Sequence, residues 1–357
     1  MSMLTLITLG RYFLLSRIKE KEVSISQISL HNLTVVVPFR NEEDNLKHFV
    51  SCIQNSTKHP IKFIFVDDHS EDDSFEYLNE VSKGHSEFVM LQLDKNKEGK
   101  KHAIRKGIYQ CETEYVLTLD ADVFFDIDFF ENISTLQKHD LIILPVKMFH
   151  KKWYQHFFIL DLYIANAANE GISGFLRPVM ASGANLLINR EKFLIWDSQR
   201  NFDFLGGDDL NILKDFRINN GDIQIEIDGK YSVKTEAPKT IKAYFSQRLR
   251  WSRNAMQVRD DLSSFLVLIQ LILTFSMVIV LCYLLANSYI NNAILLVCFK
   301  LLFDLLVFYS FFKSKNQRIT LCLMPFYELF FPIYILILSF GVLFIKPIWK
   351  NRIIHQS

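Results

Sequence analysis

The stretch VVVPFRNEEDNL, residues 35–46, decides the fold, because a β-branched apolar run passes directly into a polar segment of helical length. A second stretch of this kind, IFVDDHSEDDS, occupies residues 64–74. Further runs between 33 and 145 repeat the pattern: they predict strands over 33–37, 61–66, 88–93, 115–119 and 141–144 and helices over 42–54, 72–81 and 100–109. Strands that alternate with helices predict parallel βαβ units, which bind ligands beyond the carboxyl ends of their strands.

The last quarter of the chain has the composition of a membrane region. No Asp, Glu, Lys or Arg occurs over 262–299, and a bilayer core needs about 20 consecutive apolar residues. Apolar runs over 262–286 and 293–312 predict a helical hairpin, while the run over 320–345 contains two prolines and Glu328, which leaves spanning and re-entrant arrangements open. The basic loop 313–318 is expected on the cytoplasmic side, together with the polar domain.

Composition excludes several classes of protein. Hydrophobic residues make up 50% of the chain and the formal net charge is +1, which excludes a disordered chain and gives no support to a nucleic-acid binder. The five cysteines show no CxxC spacing, so neither a disulfide framework nor a zinc site is predicted. The expected protein is a polar domain attached to a membrane region.

The predicted organisation has five consecutive parts. They are an apolar or interfacial segment (1–30), an α/β domain (31–238), an amphipathic interfacial helix (239–261), a transmembrane region of two or three helices (262–345) and a basic tail (346–357). In the amphipathic helix, the periodicity places Ile241, Phe245, Leu249 and Met256 near one face and the arginines 248, 250 and 253 elsewhere.

Aspartates follow two of the predicted strands directly. Asp67 and Asp68 can accept hydrogen bonds from a ribose or a base, or can form a turn with Ser70 that caps the next helix. In LTLDADV, residues 117–123, Asp120 and Asp122 lie two residues apart. Such a pair can hold Mg²⁺ or Mn²⁺ while leaving coordination positions for a diphosphate, and an exposed turn is the alternative.

Two motifs lie on predicted helices. LGGDDLNIL, residues 205–213, places Asp208 and Asp209 in a first helical turn, where capping alone explains acids and a general base, preferably Asp209, is the functional interpretation. QRLRW, residues 247–251, groups Gln247, Arg250 and Trp251 three and four residues apart. These side chains suit a phosphate oxygen and a sugar ring, and a membrane-surface helix is the alternative.

Together the motifs resemble family 2 inverting glycosyltransferases with a GT-A fold, especially membrane-attached bacterial members related to processive synthases. The stretches that carry the resemblance are VVVPFRNEEDNL, VDDHSEDDS, GKKHAIRKGI, DAD, SGANLLINR, GGDD and QRLRW, over about residues 33–258. The resemblance implies a Rossmann-like mixed α/β sheet followed by a transmembrane helical region. It also implies a UDP-type sugar donor, a Mg²⁺ or Mn²⁺ cofactor and a lipid-linked or glycan acceptor.

The resemblance also assigns roles by position. They are nucleotide binding for Pro38, Arg40, Glu42, Asp67 and Asp68, donor contact for Lys100 and Asp120, metal binding for Asp122 with Asp120, base catalysis for Asp209 or Asp208, and diphosphate or acceptor contact for Gln247, Arg250 and Trp251. Gly207-Asp208-Asp209 stands where a Thr-Glu-Asp type motif is common, so either aspartate can be the base.

The expected function is therefore that of a multi-pass glycosyltransferase of the inner (plasma) membrane with a cytoplasmic catalytic domain. Its expected partners are a nucleotide sugar, the acceptor and membrane lipids, without nucleic acid. One alternative is a nucleotidyltransferase on a related fold. That class is expected to have a glycine-rich, basic loop after the first strand, and the segment PFRNEEDN contains no glycine. The other is a non-catalytic scaffold subunit of a polysaccharide assembly system.

Overall fold

The computed structural model describes residues 10, 26–197, 208–258, 260–314, 322–344, 348–349 and 352–353. Most of the predicted N-terminal segment and of the basic tail lies outside these residues. The chain forms two compact units. The sheet unit comprises 20–149, 180–236 and 348–357, and the helical unit comprises 1–19, 150–179 and 237–347. The units thus interleave along the chain.

The strands of the sheet unit form one large sheet and two small ladders. In chain order they are β1 (Leu33–Phe39), β2 (Lys62–Asp67), β3 (Phe88–Gln92), β4 (Tyr115–Leu119), β5 (Leu141–Ile143), β6 (Val146–Phe149), β7 (Asn185–Asn189), β8 (Ile223–Ile225), β9 (Val233–Glu236), β10 (Ile348–Trp349) and β11 (Arg352–Ile353). The large sheet has the order β3-β2-β1-β4-β7-β5-β8, and β6 pairs with β9. Strands β1 to β4 are parallel, while β7 runs antiparallel to β4 and β5. The predicted mixed α/β class is confirmed.

The described helices are numbered along the whole chain. They are α1 (Glu43–Gln54), α2 (Ser74–Ser82), α3 (Lys100–Gln110), α4 (Phe129–Ile133), α5 (Gln155–Phe175), α6 (Arg190–Asp197), α7 (Asp208–Ile218), α8 (Ile241–Val258), α9 (Asp261–Ala286), α10 (Ile290–Ser314) and α11 (Met324–Phe344). Helices α5 and α8 to α11 belong to the helical unit, and the others to the sheet unit.

The middle of the sheet is covered on both faces. Strands β1 and β4 are buried along their whole length, which explains their unbroken apolar runs. Helix α3 packs so closely on β1 that a Cβ added at Gly107 would lie 2.4 Å from Cγ1 of Val36. This contact fixes α3, and with it Lys100 at the start of the helix, against the central strand.

The helical unit contains the apolar helices. Among the residues that the structure describes, α9 and the segment Met324–Val342 of α11 are long and apolar enough to cross a membrane. Helices α9 and α10 pack against each other as the predicted hairpin. The third apolar run forms the continuous helix α11, which includes Pro332.

Three charged side chains join α10 to α11. Lys300 Nζ lies 2.6 Å from Oδ2 of Asp304 and also bonds Oε2 of Glu328. Asp304 is buried. The i, i+4 spacing of Lys300 and Asp304 indicates mutual neutralisation, and the structure adds a second carboxylate from the neighbouring helix.

We expect Lys300→Met to destabilise the protein by about 2–3 kcal/mol, because it leaves two carboxylates without their cation. The expected loss lies below that of fully buried pairs, since the Lys300 side chain is 32% exposed. Thermal unfolding in detergent measures the effect. The matched variant Lys300→Met/Glu328→Gln should recover part of the loss, and an unchanged melting temperature in the single variant would contradict a stabilising role.

Candidate functional site

Four residues from separate segments meet at the carboxyl edge of the parallel strands. Asp120 follows β4, Lys100 begins α3, Gly183 precedes β7, and Asp209 lies in the first turn of α7. Because β7 runs antiparallel to β4, its first residue pairs with the last residue of β4, which brings Gly183 to the edge where Asp120 lies. This is the edge at which such sheets bind ligands.

Lys100 is the cationic centre of the cluster. Its Nζ forms an ion pair with Oδ1 of Asp120. Burial lowers the pKa of Lys100, but the negative charges of Asp120, Asp209 and Asp208 outweigh it and raise the pKa above its ordinary value. The ammonium group therefore keeps its positive charge at neutral pH, next to three carboxylates.

Two backbone N–H groups hold the carboxylate of Asp209. Gly183 N donates to Oδ2 at 3.1 Å, and Leu210 N donates to Oδ1 at 2.9 Å. A Cβ at Gly183 would lie 3.6 Å from Lys100 Nζ and 3.7 Å from the Cβ of Asp209, so this glycine stands between the two side chains. Gly183 lies within the stretch SGANLLINR, where no role is predicted for it, and the structure adds it to the site.

Asp120 and Asp122 follow β4 in a turn, in which Val123 N donates to the carbonyl oxygen of Asp120 at 3.3 Å. Both aspartates are partly exposed, whereas Ala121 and Val123 are buried. Thr235 Oγ1 of β9 donates to Oδ2 of Asp122 at 3.4 Å. Thr235 is a second site residue that sequence reasoning missed, since its position depends on the pairing of β9.

The carboxylates of Asp120 and Asp122 are chemically suited to a divalent cation that takes few of its ligands from the protein. Carboxylate oxygens are the ligands that Mg²⁺ and Mn²⁺ prefer, and Mg²⁺ usually takes its other ligands from phosphates and water. In the part of the chain that the structure describes, no group of three or more His, Cys, Asp or Glu side chains is arranged to hold a metal. An ion held by Asp120 and Asp122 would therefore take its other ligands from a diphosphate or from water.

Arg40 connects the loops that follow β1 and β2. Its buried guanidinium donates from Nη1 to the carbonyl oxygens of Asp68, at 2.8 Å, and His69, at 2.9 Å, and Nη2 pairs with Glu71 at 2.7 Å. Pro38 lies within β1, opposite Val66. Of the predicted nucleotide-binding residues, Pro38 thus lies in the strand, and Arg40 connects the two loops.

The other predicted nucleotide residues are engaged by protein donors. Glu42 accepts from Asn45 Nδ2 at 2.6 Å at the start of α1. The buried Asp67 accepts from Ser70 N at 3.0 Å and from Gln92 Nε2 at 2.9 Å, and Asp68 accepts from Gly99 N at 3.0 Å. Asp67 makes the predicted turn with Ser70. The hydrogen bond of Asp68 connects the loop after β2 to Gly99, the residue that precedes Lys100.

The QRLRW residues lie on α8 of the helical unit, where one of the arginines is buried and two of the apolar residues are exposed. Arg248 is buried, whereas Ile241 and Met256 are 64% and 59% exposed. Arg248 lies on the buried side because Asp161 of α5 neutralises it, with Nε 2.6 Å from Oδ2. Gln247 Oε1 is buried with no hydrogen-bond partner among the described residues.

Glu226 is a further carboxylate at the carboxyl edge, directly after β8. Burial raises its pKa to about 7. The pKa of this carboxyl group is thus higher in the folded protein than in the unfolded protein. Its contribution to the free energy of unfolding is fully present below the unfolded pKa, and it is lost as the pH rises through about 7.

Glu226→Gln is therefore expected to stabilise the protein at about pH 8, on the order of 2 kcal/mol, and to have little effect near pH 4. Urea unfolding at both pH values measures the difference. The exposed Glu76→Gln is the matched control and should show no such pH dependence. An equal effect of Glu226→Gln at both values would contradict the raised pKa.

Two family models match the chain. The model described as Glycosyl transferase family 2 matches residues 34–159, and the one described as Glycosyl transferase family group 2 matches residues 115–345, which is more than half of the chain. Both matches include the strand that precedes Asp120 and Asp122.

Two curated relatives are similar over part of the chain. The undecaprenyl-phosphate 4-deoxy-4-formamido-L-arabinose transferase of Pseudomonas fluorescens is 37% identical over 98 residues, 26% of this chain and 28% of that protein. The poly-beta-1,6-N-acetyl-D-glucosamine synthase of Staphylococcus aureus is 29% identical over 108 residues, 30% of this chain and 26% of that protein. The match thus spans about a quarter of the length of each relative.

Among solved structures, the mannosyltransferase PcManGT from Pyrobaculum calidifontis, in complex with GDP-Man and Mn²⁺, aligns with 96% of this chain and 97% of its own. The TM-score is 0.61 and the sequence identity is 17%. This similarity confirms the predicted GT-A fold.

Proposed function

The chain belongs to glycosyl transferase family 2, and on that premise we propose that it moves a sugar from a nucleotide diphosphate to an acceptor hydroxyl with inversion at the anomeric carbon. The observation that carries the proposal is the cluster of Lys100, Asp120, Gly183 and Asp209 at one edge of the sheet. It combines fixed positive charge for a leaving diphosphate with a carboxylate for the attacking hydroxyl.

Asp209 is the proposed general base. Its carboxylate takes the proton from the acceptor hydroxyl, whose oxygen then attacks the anomeric carbon opposite the leaving diphosphate. The bonds from Gly183 N and Leu210 N fix the orientation of this carboxylate. Asp208, in the same helical turn, is the other candidate.

Asp120 and Asp122 are the proposed holders of Mg²⁺ or Mn²⁺. The ion, when bound, neutralises charge that develops on the diphosphate. Lys100 supplies a second positive charge at this edge, because its pKa is raised. Gln247 and Arg250 are proposed to contact the diphosphate or the acceptor. The buried, unpartnered Oε1 of Gln247 can accept a hydrogen bond, which supports a contact with a hydroxyl group of the donor sugar or the acceptor.

The loops joined by Arg40 are the proposed nucleotide pocket, with Pro38, Glu42, Asp67 and Asp68 shaping it for a UDP-type donor. Trp251 is the proposed platform for the acceptor, because its half-buried indole offers a flat face to a sugar ring. One relative is named as an undecaprenyl-phosphate sugar transferase and the other as a poly-N-acetylglucosamine synthase. The first name supports a lipid-linked acceptor, and the second supports the hydroxyl group of a glycan.

We also propose a multi-pass location in the inner (plasma) membrane, with the sheet unit in the cytoplasm. The two apolar helices support this placement, as does the basic sequence over 313–318 under the positive-inside rule. Membrane lipids would then surround the helical unit.

Release of nucleotide diphosphate by the full chain in detergent tests the proposal. A panel of UDP-sugars and GDP-sugars is offered with Mg²⁺, with Mn²⁺ or with EDTA, and membrane lipid extract serves as the acceptor source. Metal-dependent release from one donor is expected. Pyrophosphate release from a nucleoside triphosphate and a sugar phosphate would instead identify a nucleotidyltransferase. Donor binding without turnover would favour the scaffold alternative.

A further inference from the structure

Arg248, the second residue of QRLRW, is held in a buried ion pair. Its Nε lies 2.6 Å from Oδ2 of Asp161 on α5, and the two side chains are 7% and 12% exposed. A buried charge without its partner is costly, so each of these side chains constrains the other. The orientation of the guanidinium is therefore set by α5 and not only by its own helix.

Helix α11 holds the same carboxylate from another direction. Tyr327 OH donates to Oδ1 of Asp161 at 2.6 Å, and Tyr334 OH donates to Oδ2 at 3.4 Å. The two tyrosines are seven residues apart and thus lie on one face of α11. Asp161 is a common partner of α8 and α11, and its carboxylate has both oxygens engaged.

The fixed guanidinium stacks on Trp251. The Cζ of Arg248 lies 4.5 Å from the Trp251 ring centroid and 5.1 Å from that of Tyr244. Arg248 and Trp251 are three residues apart on α8 and are therefore neighbours on its surface. Stacking of a planar guanidinium on an indole restricts the tilt of the ring, which a lysine ammonium would do less well.

We propose that Asp161 is a positioning residue that sets the orientation of the Trp251 indole through Arg248. The indole then presents one face to Arg248 and the other to the acceptor. This inference rests on the proposed function, because the acceptor role of Trp251 belongs to it. Its geometric part, from Asp161 to Trp251, stands on the contacts within the helical unit alone.

Two substitutions in the full chain test the inference. Arg248→Lys keeps the charge for Asp161 but removes the planar stack, and Asp161→Asn removes the charge that fixes Arg248. Lys242→Met, at an exposed position of the same helix, is the matched control. The first readout is acrylamide quenching of tryptophan fluorescence, with each variant also made in a Trp251→Phe background so that the contribution of Trp251 is isolated.

The second readout separates the KM values of donor and acceptor. We expect increased quenching of Trp251 and an acceptor KM about tenfold higher in both variants, the size of a lost stacking contact, with donor KM unchanged. Arg248→Lys keeps the test decisive if Asp161→Asn fails to fold.

Unchanged quenching of Trp251 in Arg248→Lys would overturn the positioning inference, whatever the kinetics. A normal acceptor KM in Trp251→Ala would overturn the acceptor assignment of Trp251. Neither result would affect metal-dependent release of nucleotide diphosphate, so failure of this inference is distinguishable from failure of the proposed function.

Discussion

Asp209→Asn is expected to slow sugar transfer by about 10²–10⁴-fold, which is the range that a general base contributes. The amide oxygen of Asn can still accept from Gly183 N or Leu210 N, so the local backbone should keep its position. It cannot remove a proton from the acceptor. Steady-state product formation together with the donor Kd measures the effect, and the donor Kd should stay near that of the wild type.

Asp208→Asn is the matched control, since it removes the same charge from the same helical turn. A smaller loss is expected, through the weaker field at Lys100. A reversed order of the two losses would assign the base to Asp208. Full activity in both variants would contradict base catalysis by either aspartate.

Asp122→Asn is expected to weaken activation by Mn²⁺ or Mg²⁺ on the order of a hundredfold. The site has few other protein ligands to compensate, as no third metal-binding side chain joins the pair within the described part of the chain. Titration of nucleotide release with Mn²⁺ measures the change. The Kd of the donor, measured with and without EDTA, shows whether the ion acts through donor binding.

Asp126→Asn provides the control for this second prediction. Asp126 follows the same strand but pairs with Lys234 at 2.6 Å and is 63% exposed. Its substitution should leave metal activation unchanged. If Asp122→Asn responded to Mn²⁺ as the wild type does, Asp122 would not be a metal ligand.

The sequence predicts the parallel half of the sheet well, because each of these strands is recognisable from a few consecutive residues. Each of the first four strands is a short β-branched run that ends at a turn, and all four are present. The carboxylates of Asp120 and Asp122 follow their strand at a fixed distance, so their place at the sheet edge follows from the strand itself.

The rest of the site depends on pairings between distant segments. Thr235 reaches Asp122 only because β9 pairs with β6, 87 residues earlier at Val146 and Val233. These strands are four residues long and carry no strong apolar pattern. Periodicity does not predict the burial of Arg248, because it counts any arginine as polar and takes no account of the distant carboxylate of Asp161.

The ion pair of Asp161 also constrains the order in which the protein assembles. Its tyrosine partners lie 166 and 173 residues further along the chain. During synthesis, α5 emerges early with a carboxylate whose neutralising and hydrogen-bonding partners do not yet exist, and contacts of such long sequence separation form slowly. A shortened chain that ends before α8 would retain Asp161 but none of these partners. The contacts of Asp161 within the helical unit can therefore be complete only after α11 has been synthesised.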